Sequence, residues 1–214
     1  MRVGDFADKR ARMVERQLRD RGIEDVRVLA AMGRVPREQF LPRRLQRSAY
    51  TDSALPIGAG QTISQPWVVA AICQALALRG DERVLEVGTG SGYSAAVLAE
   101  LAAEVIGIER HEPLARGAAT ALAEIGVRNV RVLIGDGSRG YPEEAPFEAI
   151  AVHASAPAAP RALLNQLAEG GRLVVPIATK ESDDLTLLRR HGDTIERHPI
   201  APCRFVPLIG DEGF

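Results

Sequence analysis

RVLEVGTGSGY, residues 83–93, is the stretch that decides the fold of this chain. Its first five residues are typical of a short buried strand, three glycines then interrupt the run, and an alanine-rich segment at residues 94–101 has helical character. Glycine suits a tight turn because it adopts positive φ without a steric penalty and lets the backbone approach a ligand closely. The stretch therefore predicts a strand, a ligand-binding turn and a helix.

The spacing of the glycines and a nearby acid indicate which ligand the turn holds. The dinucleotide fingerprint G-x-G-x-x-G places a pyrophosphate at a helix N-terminus. Here the glycines are Gly88, Gly90 and Gly92, and Tyr93 stands where the fingerprint has its last glycine. Glu86 lies two residues before the turn, where a carboxylate repels a phosphate and favours a cation. A nucleoside with an ammonium and a sulfonium group fits better, although a bare tight connection between strand and helix remains the alternative.

Composition limits the classes of partner. The 214 residues include 27 basic and 28 acidic side chains, so no net field favours nucleic acid or an anionic membrane. Five Phe, three Tyr and one Trp leave few platforms for stacking single-stranded bases. Cys73 and Cys203 have no spacing typical of a disulfide framework or a zinc site. The charged start and the lack of a long apolar run predict neither a signal peptide nor a membrane span, so a cytoplasmic location is expected.

Strands and helices alternate along most of the chain. This alternation predicts an α/β fold with a doubly wound, mostly parallel Rossmann-like sheet, helices on both faces, an N-terminal helical extension and a C-terminal antiparallel hairpin. The predicted strands are 83–87, 104–108, 130–134, 149–152 and 172–176, with the hairpin at 185–190 and 194–199. The predicted helices are 8–21, 24–32, 36–40, 67–78, 94–101, 113–125 and 160–167.

The length and the pattern predict one domain over residues 1–214. Residues 1–80 supply N-terminal helices and a substrate loop, and residues 81–178 form the cofactor-binding core. Residues 179–214 supply the C-terminal antiparallel strands and a segment on the substrate side.

Acidic residues follow two of the predicted strands. Ligands of such sheets bind at the carboxyl ends of the strands. Glu109 closes the second strand, at the distance from the glycine turn where an acid binds both ribose hydroxyls. Asp136, with Gly137 after it, closes the third strand and is placed to accept from an adenine amino group. Each acid has an ordinary alternative as a solvated loop residue or a helix cap.

The segment YTDSALPIGAGQTISQP, residues 50–66, predicts a long functional loop before an apolar helix. Gln61, Thr62 and Ser64 offer neutral hydrogen-bond donors beside the helix N-terminus, and such a set suits a carboxylate. The alternative is that Ser64 or Gln65 only caps the helix.

These motifs together resemble the protein-L-isoaspartate O-methyltransferases, a family of class I S-adenosylmethionine-dependent methyltransferases. The resemblance covers nearly the whole chain and includes VPREQF at 35–40, ALPIGAGQTISQP at 54–66, VLEVGTGSGY at 84–93, IGIER at 106–110, GDG at 135–137 and RFVPLIG at 204–210. It implies methylation of the free α-carboxylate of L-isoaspartyl residues in damaged proteins, with S-adenosyl-L-homocysteine as the other product. The ester then collapses through a succinimide toward aspartate.

The resemblance also implies roles for individual residues. Ser64 falls on the family's catalytic serine, and Glu109 on its ribose-binding acid. The implied cofactor-binding residues are Glu86, Gly88, Gly90, Gly92, Glu109, Asp136 and Gly137. The implied substrate-binding residues are Gln61, Thr62, Ile63, Arg204, Val206, Pro207 and Leu208. No metal is implied. The expected partners are isoaspartyl peptides and damaged proteins, and the enzyme is expected to be a monomer.

Some positions depart from the family's usual pattern. His153 begins HASAP where a threonine and an alanine-rich run are common, Ala158 stands where a glutamate is frequent, and Ile177-Ala178 replaces a frequent Val-Gly pair. These positions lie near the expected substrate entrance, so they bear on peptide preference. His153 has two interpretations, a general base or a hydrogen-bonded loop histidine.

Proteins with other functions would share parts of this sequence pattern. A methyltransferase of the same fold that acts on aspartate in a dedicated peptide, or on a small carboxylic acid, would carry the same glycine turn. A non-catalytic binding module would keep the cofactor pocket, and a dehydrogenase would bind a nicotinamide dinucleotide. The isoaspartyl chemistry needs no triad, because an ordinary carboxylate is ionised at pH 7 and can attack a sulfonium methyl group without a base.

Overall fold

The computed structural model describes residues 3–214, which form six α-helices and nine β-strands joined by short 3₁₀ and π-helical turns. The helices are α1 Val3–Met13, α2 Val26–Arg34, α3 Pro66–Leu76, α4 Tyr93–Ala99, α5 Glu112–Glu124 and α6 Arg161–Asn165. The strands are β1 Leu55–Gly58, β2 Gln61–Ile63, β3 Arg83–Val87, β4 Glu104–Glu109, β5 Val130–Ile134, β6 Phe147–Val152, β7 Leu167–Ala178, β8 Asp183–His191 and β9 Thr194–Cys203.

Seven strands form one sheet in the order β5-β4-β3-β6-β7-β8-β9. The first five strands of that order are parallel, and β8 and β9 complete the sheet in antiparallel pairing. From β3 the chain moves outward through β4 to β5, and it then returns to place β6 on the other side of β3. A ligand crevice forms where the strand order reverses in this way. The mostly parallel, doubly wound sheet and the C-terminal hairpin predicted from the sequence are confirmed.

Local signals in the sequence fix most helix boundaries. The N-terminal helix continues through a π-helical and a 3₁₀ turn to Arg21, and Gly22 ends it with φ of 86°. Asp25 caps α2, because its side chain accepts from the backbone N–H groups of Arg27 and Val28. Pro66 occupies the first turn of α3, where its missing N–H costs nothing.

The alternation of side chains along β3 divides the core into two hydrophobic clusters. Val84 packs on one face with residues of α2, α3 and α4, and this cluster reaches Leu18 in the N-terminal helices. Leu85 and Val87 point to the opposite face and pack with Leu163 of α6. Successive residues of a strand face opposite sides, so a strand that is apolar throughout is buried between two layers. The glycine turn therefore follows a strand that is buried between the two clusters.

Two predicted elements differ in kind from the structure, and most of the others shift by one to five residues at their ends. The helix expected at 160–167 ends at Asn165, and Leu167 begins β7 by pairing with Phe147. Leu163 and Leu167 are four residues apart, a spacing that is typical of one face of a helix. The pairing of Leu167 with Phe147 nevertheless places Leu167 in a strand. The loop expected at residues 50–66 contains the antiparallel hairpin of β1 and β2, which are too short to show a periodic pattern.

No helix within residues 3–214 is long and apolar enough to cross a membrane.

Candidate active site

The glycine turn between β3 and α4 has the backbone conformation that its sequence predicts. Gly88, Gly90 and Gly92 all have positive φ, at 83°, 56° and 89°. A Cβ on Gly92 would lie 3.1 Å from the Cβ of Ala118, so this glycine lets the turn pack against α5. Gly88 donates its N–H to the carbonyl of Ile108 at 2.8 Å, which ties the turn to the end of β4. These contacts with β4 and α5 hold the backbone of the turn at the crevice beside β3.

Glu109 organises the turn from the end of β4. Its Oε2 accepts from the backbone N–H of Gly90 at 2.9 Å, and its Oε1 accepts from the N–H of His111 at 2.8 Å. The side chain lines the pocket above the turn even though little of it is exposed. A carboxylate has about four lone-pair sites, so each oxygen keeps capacity for a ligand hydroxyl. His111, rather than Glu109, is the N-cap residue of α5.

Glu86 lies beneath the turn and is completely buried. Its Oε1 accepts from the hydroxyl of Ser94 and lies 3.4 Å from Nε2 of His153. The hydroxyl of Ser94 is also 3.0 Å from that Nε2. Because the single hydroxyl proton of Ser94 goes to Glu86, the histidine donates in this contact. The three side chains form one buried polar cluster, which sequence reasoning did not find.

Two polar atoms under the turn have no hydrogen-bond partner within residues 3–214, namely Glu86 Oε2 and Thr89 Oγ1. Both lie near Gly107 of β4, where an added Cβ would be 2.4 Å from Thr89 Oγ1 and 3.4 Å from Glu86 Oε2. A glycine inside a strand often marks such a close approach, and this signal was overlooked in IGIER. A buried carboxylate oxygen without a hydrogen-bond partner therefore lies beneath the turn, where its negative charge favours a cationic ligand in the pocket above.

The pocket above the turn gathers most of the predicted site residues. Its walls come from the β1–β2 hairpin, the glycine turn, the end of β4, the start of the 3₁₀ turn after β5, and the chain after β9. The predicted residues that line it are Gln61, Thr62, Ile63, Ser64, Gly88, Gly90, Glu109, Gly137, Val206, Pro207 and Leu208. Glu86, Gly92, Asp136 and Arg204 are not among its lining residues.

Asp136 contacts groups of the chain itself. Its Oδ1 accepts from the N–H and the hydroxyl of Ser138, at 2.9 and 2.7 Å. Its Oδ2 accepts from the N–H of Asp211 at 2.8 Å. Burial by itself raises the pKa of Asp136, but the N–H of Asp211 and the two donors of Ser138 hold it below its ordinary value. The adenine contact expected for Asp136 stays a prediction.

A second pocket adjoins the first and opens on the other side of Ser64. Arg21 and Trp67 line it together with Arg204, one of the predicted residues that do not line the first pocket. Arg21 stacks on the Trp67 ring at 5.3 Å. Cys203 also lines it, but burial raises the pKa of this thiol to about 11, so it is not a thiolate near neutral pH. The second pocket therefore has a basic and aromatic lining.

Four residues line both pockets and define their junction, namely Thr62, Ser64, His153 and Val206. Within residues 3–214 the hydroxyl of Ser64 makes no hydrogen bond, and the N-cap position of α3 belongs to Gln65, which makes no capping bond with its side chain. The helix-cap alternative is therefore wrong for Ser64, whereas Gln65 occupies the N-cap position without a side-chain capping bond. A group that reaches the junction from either pocket meets the free hydroxyl of Ser64.

Within the described part of the chain, no set of three or more His, Cys, Asp and Glu side chains could hold a metal ion.

Known proteins resemble this chain along nearly its whole length. The family model described as Protein-L-isoaspartate(D-aspartate) O-methyltransferase (PCMT) matches residues 8–213. The protein-L-isoaspartate O-methyltransferase 1 of Rhodopseudomonas palustris is 56% identical over 211 residues, which are 98% of this chain and 86% of the relative. The protein-L-isoaspartate O-methyltransferase of Methanoculleus marisnigri is 51% identical over 206 residues, 96% of this chain and 94% of the relative.

A solved structure adds information on the fold and on a ligand. One crystal structure, named as a protein-L-isoaspartate O-methyltransferase from Plasmodium falciparum, is in complex with S-adenosyl-L-homocysteine. Its sequence is 26% identical to this chain. Its TM-score is 0.82, over 94% of this chain and 98% of that one. The family resemblance seen in the motifs is thus confirmed, and the chain belongs to the protein-L-isoaspartate(D-aspartate) O-methyltransferase family.

Proposed function

We propose that this protein is a repair enzyme that transfers a methyl group from S-adenosylmethionine to the free α-carboxylate of L-isoaspartyl residues in peptides and damaged proteins. The observation that carries the proposal is the junction of the two pockets, where Ser64 lies between the glycine turn and a groove with a basic lining. A methyl donor held on one side and a carboxylate that enters from the other would meet there. The methyl ester then collapses through a succinimide toward aspartate.

The residues around the glycine turn suit S-adenosylmethionine. Glu86 Oε2 and Thr89 Oγ1 are buried without partners, so a cationic ligand above them would gain from the carboxylate. Gly88 and Gly90 expose backbone at the pocket, and Glu109 keeps acceptor capacity for ribose hydroxyls. Gly137 lines the wall beyond β5, where the adenine is expected. The S-adenosyl-L-homocysteine of the Plasmodium falciparum relative supports the same class of ligand.

Methyl transfer to a carboxylate requires mainly that the protein orient the two reactants. S-adenosylmethionine, when bound, supplies an electrophilic methyl carbon whose bond to sulfur breaks as the acceptor oxygen attacks. The acceptor carboxylate is ionised near neutral pH, so no side chain has to remove a proton. Ser64 would donate its hydroxyl to one carboxylate oxygen and so leave the other oxygen aligned. Alignment of two reactants in this way can contribute about 7 to 11 kcal/mol in favourable cases.

The groove on the far side of Ser64 suits a peptide better than a small acid. The second pocket extends from the junction to Arg21, Trp67 and Arg204, which lie on three different parts of the chain. We propose that Gln61, Thr62 and Ile63 form one wall for the acceptor. Arg204 and Val206 to Leu208 would form the opposite wall, in which Leu208 is buried and anchors the backbone. A small carboxylic acid would leave most of these contacts unused.

Methyl transfer to a synthetic peptide tests the proposal. An isoaspartyl peptide and its aspartyl twin of identical sequence would be offered with radiolabelled S-adenosylmethionine, and small dicarboxylic acids would be offered in parallel. We expect base-labile methyl ester on the isoaspartyl peptide and at least a hundredfold lower rate on its twin. Equal rates on the two peptides, or transfer to small acids alone, would instead indicate the other carboxyl methyltransferases. Tight cofactor binding without any transfer would indicate a binding module.

Other expectations from the sequence remain proposals. One hydrophobic cluster contains residues from all three predicted parts of the chain, such as Leu18, Val84 and Leu187, which supports a single domain. We further propose that the enzyme is a cytoplasmic monomer. Light scattering coupled to size exclusion would measure the mass in solution, and a mass of two chains would contradict this point.

A further inference from the structure

The chain after β9, residues 204–214, forms a wall of both pockets and is called here the C-terminal segment. Residues 206–209 line the pocket above the glycine turn, and residues 204–206 line the groove. Ser155 holds the middle of the segment, because its N–H donates to the carbonyl of Val206 at 2.8 Å and its carbonyl accepts from Leu208 at 2.7 Å. The position of this wall therefore affects both ligands of the proposed reaction.

The end of the C-terminal segment is tied to the turn after β5. Asp136 Oδ2 accepts from the N–H of Asp211 at 2.8 Å. Ser138 accepts from the N–H of Glu212 at 3.0 Å through the same hydroxyl that donates to Asp136. Ser138 is completely buried, and its contacts with Asp136 and Glu212 are partly buried. The carboxylate and the hydroxyl thus satisfy two consecutive backbone N–H groups.

Two glycines let the segment approach this closely. A Cβ on Gly210 would lie 2.0 Å from Asp136 Oδ1 and 2.5 Å from Ser138 Oγ. A Cβ on Gly213 would lie 2.0 Å from the carbonyl oxygen of Leu208, to which Phe214 donates at 2.7 Å. A side chain at residue 210 would therefore force the backbone away from the carboxylate, and a side chain at residue 213 would disrupt the fold of the segment onto Leu208.

We infer that Asp136 is a positioning residue whose carboxylate fastens the end of the C-terminal segment and thereby holds residues 206–209 in the wall of the pocket above the glycine turn. Both of its oxygens accept from groups of the chain, so the carboxylate is tied to the C-terminal segment and to Ser138 before any ligand binds. The fastening is a property of the fold itself. The effect of this fastening on the binding of an isoaspartyl peptide rests on the proposed function.

Hydrogen exchange measured by mass spectrometry tests the fastening without any substrate. The variants are Asp136→Asn, whose amide has one acceptor oxygen and so cannot accept from both Asp211 and Ser138, and Gly210→Ala, whose added Cβ forces the segment off the carboxylate. Gly117→Ala on α5 is the matched control, because an added Cβ there meets nothing within 4 Å. We expect exchange of the peptides that cover residues 204–214 to rise at least tenfold in both variants and to stay unchanged in the control. A thermal melt of each variant confirms that the rest of the chain is folded.

Binding and kinetics separate the two roles of Asp136. If the carboxylate fastens the segment, Gly210→Ala raises the KM for an isoaspartyl peptide at least fivefold, with kcat within about threefold of the wild type. Unchanged exchange in Asp136→Asn together with a large loss of S-adenosyl-L-homocysteine affinity would overturn the inference in favour of the adenine role. A wild-type protein that is inactive on isoaspartyl peptides would refute the proposed function but leave the exchange result intact.

Discussion

Ile57 of the β1–β2 hairpin lies directly over Gly90 of the glycine turn, so that a Cβ built on Gly90 would be 3.3 Å from Ile57 Cδ1. The contact joins the hairpin that leads to Ser64 to the turn that would hold the cofactor. Gly90 also donates its N–H to Glu109 at 2.9 Å. Because Gly90 has no side chain, the β1–β2 hairpin can lie this close to the glycine turn.

Alanine at position 90 should loosen this contact. Gly90 has φ of 56°, and the left-handed conformation costs other residues roughly 1 to 2 kcal/mol. We expect Gly90→Ala to weaken the binding of S-adenosyl-L-homocysteine at least tenfold, measured by isothermal titration calorimetry. Gly117→Ala serves as the control again, and equal affinities for the two variants would contradict the role given to Gly90.

Removal of the Ser64 hydroxyl should affect turnover and spare cofactor affinity. A hydrogen bond to a charged group contributes about 1.5 to 3 kcal/mol, so Ser64→Ala should lower kcat on an isoaspartyl peptide about 10- to 150-fold. The dissociation constant of S-adenosyl-L-homocysteine should stay within twofold. Ser53→Ala, an exposed serine that lies outside both pockets, controls for the loss of a hydroxyl. Turnover at the wild-type rate would remove Ser64 from the mechanism.

His153 should prove to be a hydrogen-bonded residue and not a general base. Its Nε2 is committed to Ser94 and Glu86, and its side chain is only 6% exposed. A glutamine amide can donate from a similar position, so His153→Gln should keep kcat within about fivefold and leave the shape of the pH profile unchanged. The exposed His191 provides the control substitution His191→Gln. A hundredfold loss of kcat together with an altered pH profile would show that the imidazole transfers a proton.

Glu82 should make stability depend on acid pH. Burial by itself raises the pKa of this carboxyl, but the N–H groups of Gly80 and Arg79, with Arg172 at 3.2 Å, hold it below its ordinary value. A carboxyl whose pKa is lower in the folded state stabilises the fold above its unfolded pKa, and this contribution is lost as pH falls through the folded pKa. Loss of the charged acceptor should cost about 1 to 3 kcal/mol at pH 7.

Urea unfolding at pH 7 and at pH 3 measures this effect. Glu82→Gln should be less stable than the wild type at pH 7, and the difference should shrink at pH 3. Asp81→Asn is the matched control, because that side chain is 76% exposed and its ion pair with Arg79 is 3.8 Å long. A difference between Glu82→Gln and the wild type that does not change with pH would assign the effect to packing instead.

Much of the fold follows from local sequence signals. β3 and β5 have the predicted bounds, because a short apolar run between polar or glycine boundaries leaves little freedom in where a strand begins. The helix expected at 160–167 was too long, since the partner strand of Leu167 lies 20 residues away in sequence. The hairpin that leads to Ser64 was missed for a related reason. Its strands have three or four residues, and only their pairing with each other defines them.

The sequence by itself determined the class of the sheet, the glycine turn after β3 and the acids at the ends of the strands, because each depends on periodicity or on a single backbone conformation. Only the tertiary structure decided what these acids contact. Glu86 lies buried under the turn beside Ser94 and His153, whereas Asp136 fastens backbone 75 residues further along the chain. Sequence spacing places a carboxylate near a strand end, but the partner of that carboxylate is set by which distant segments the fold packs against it.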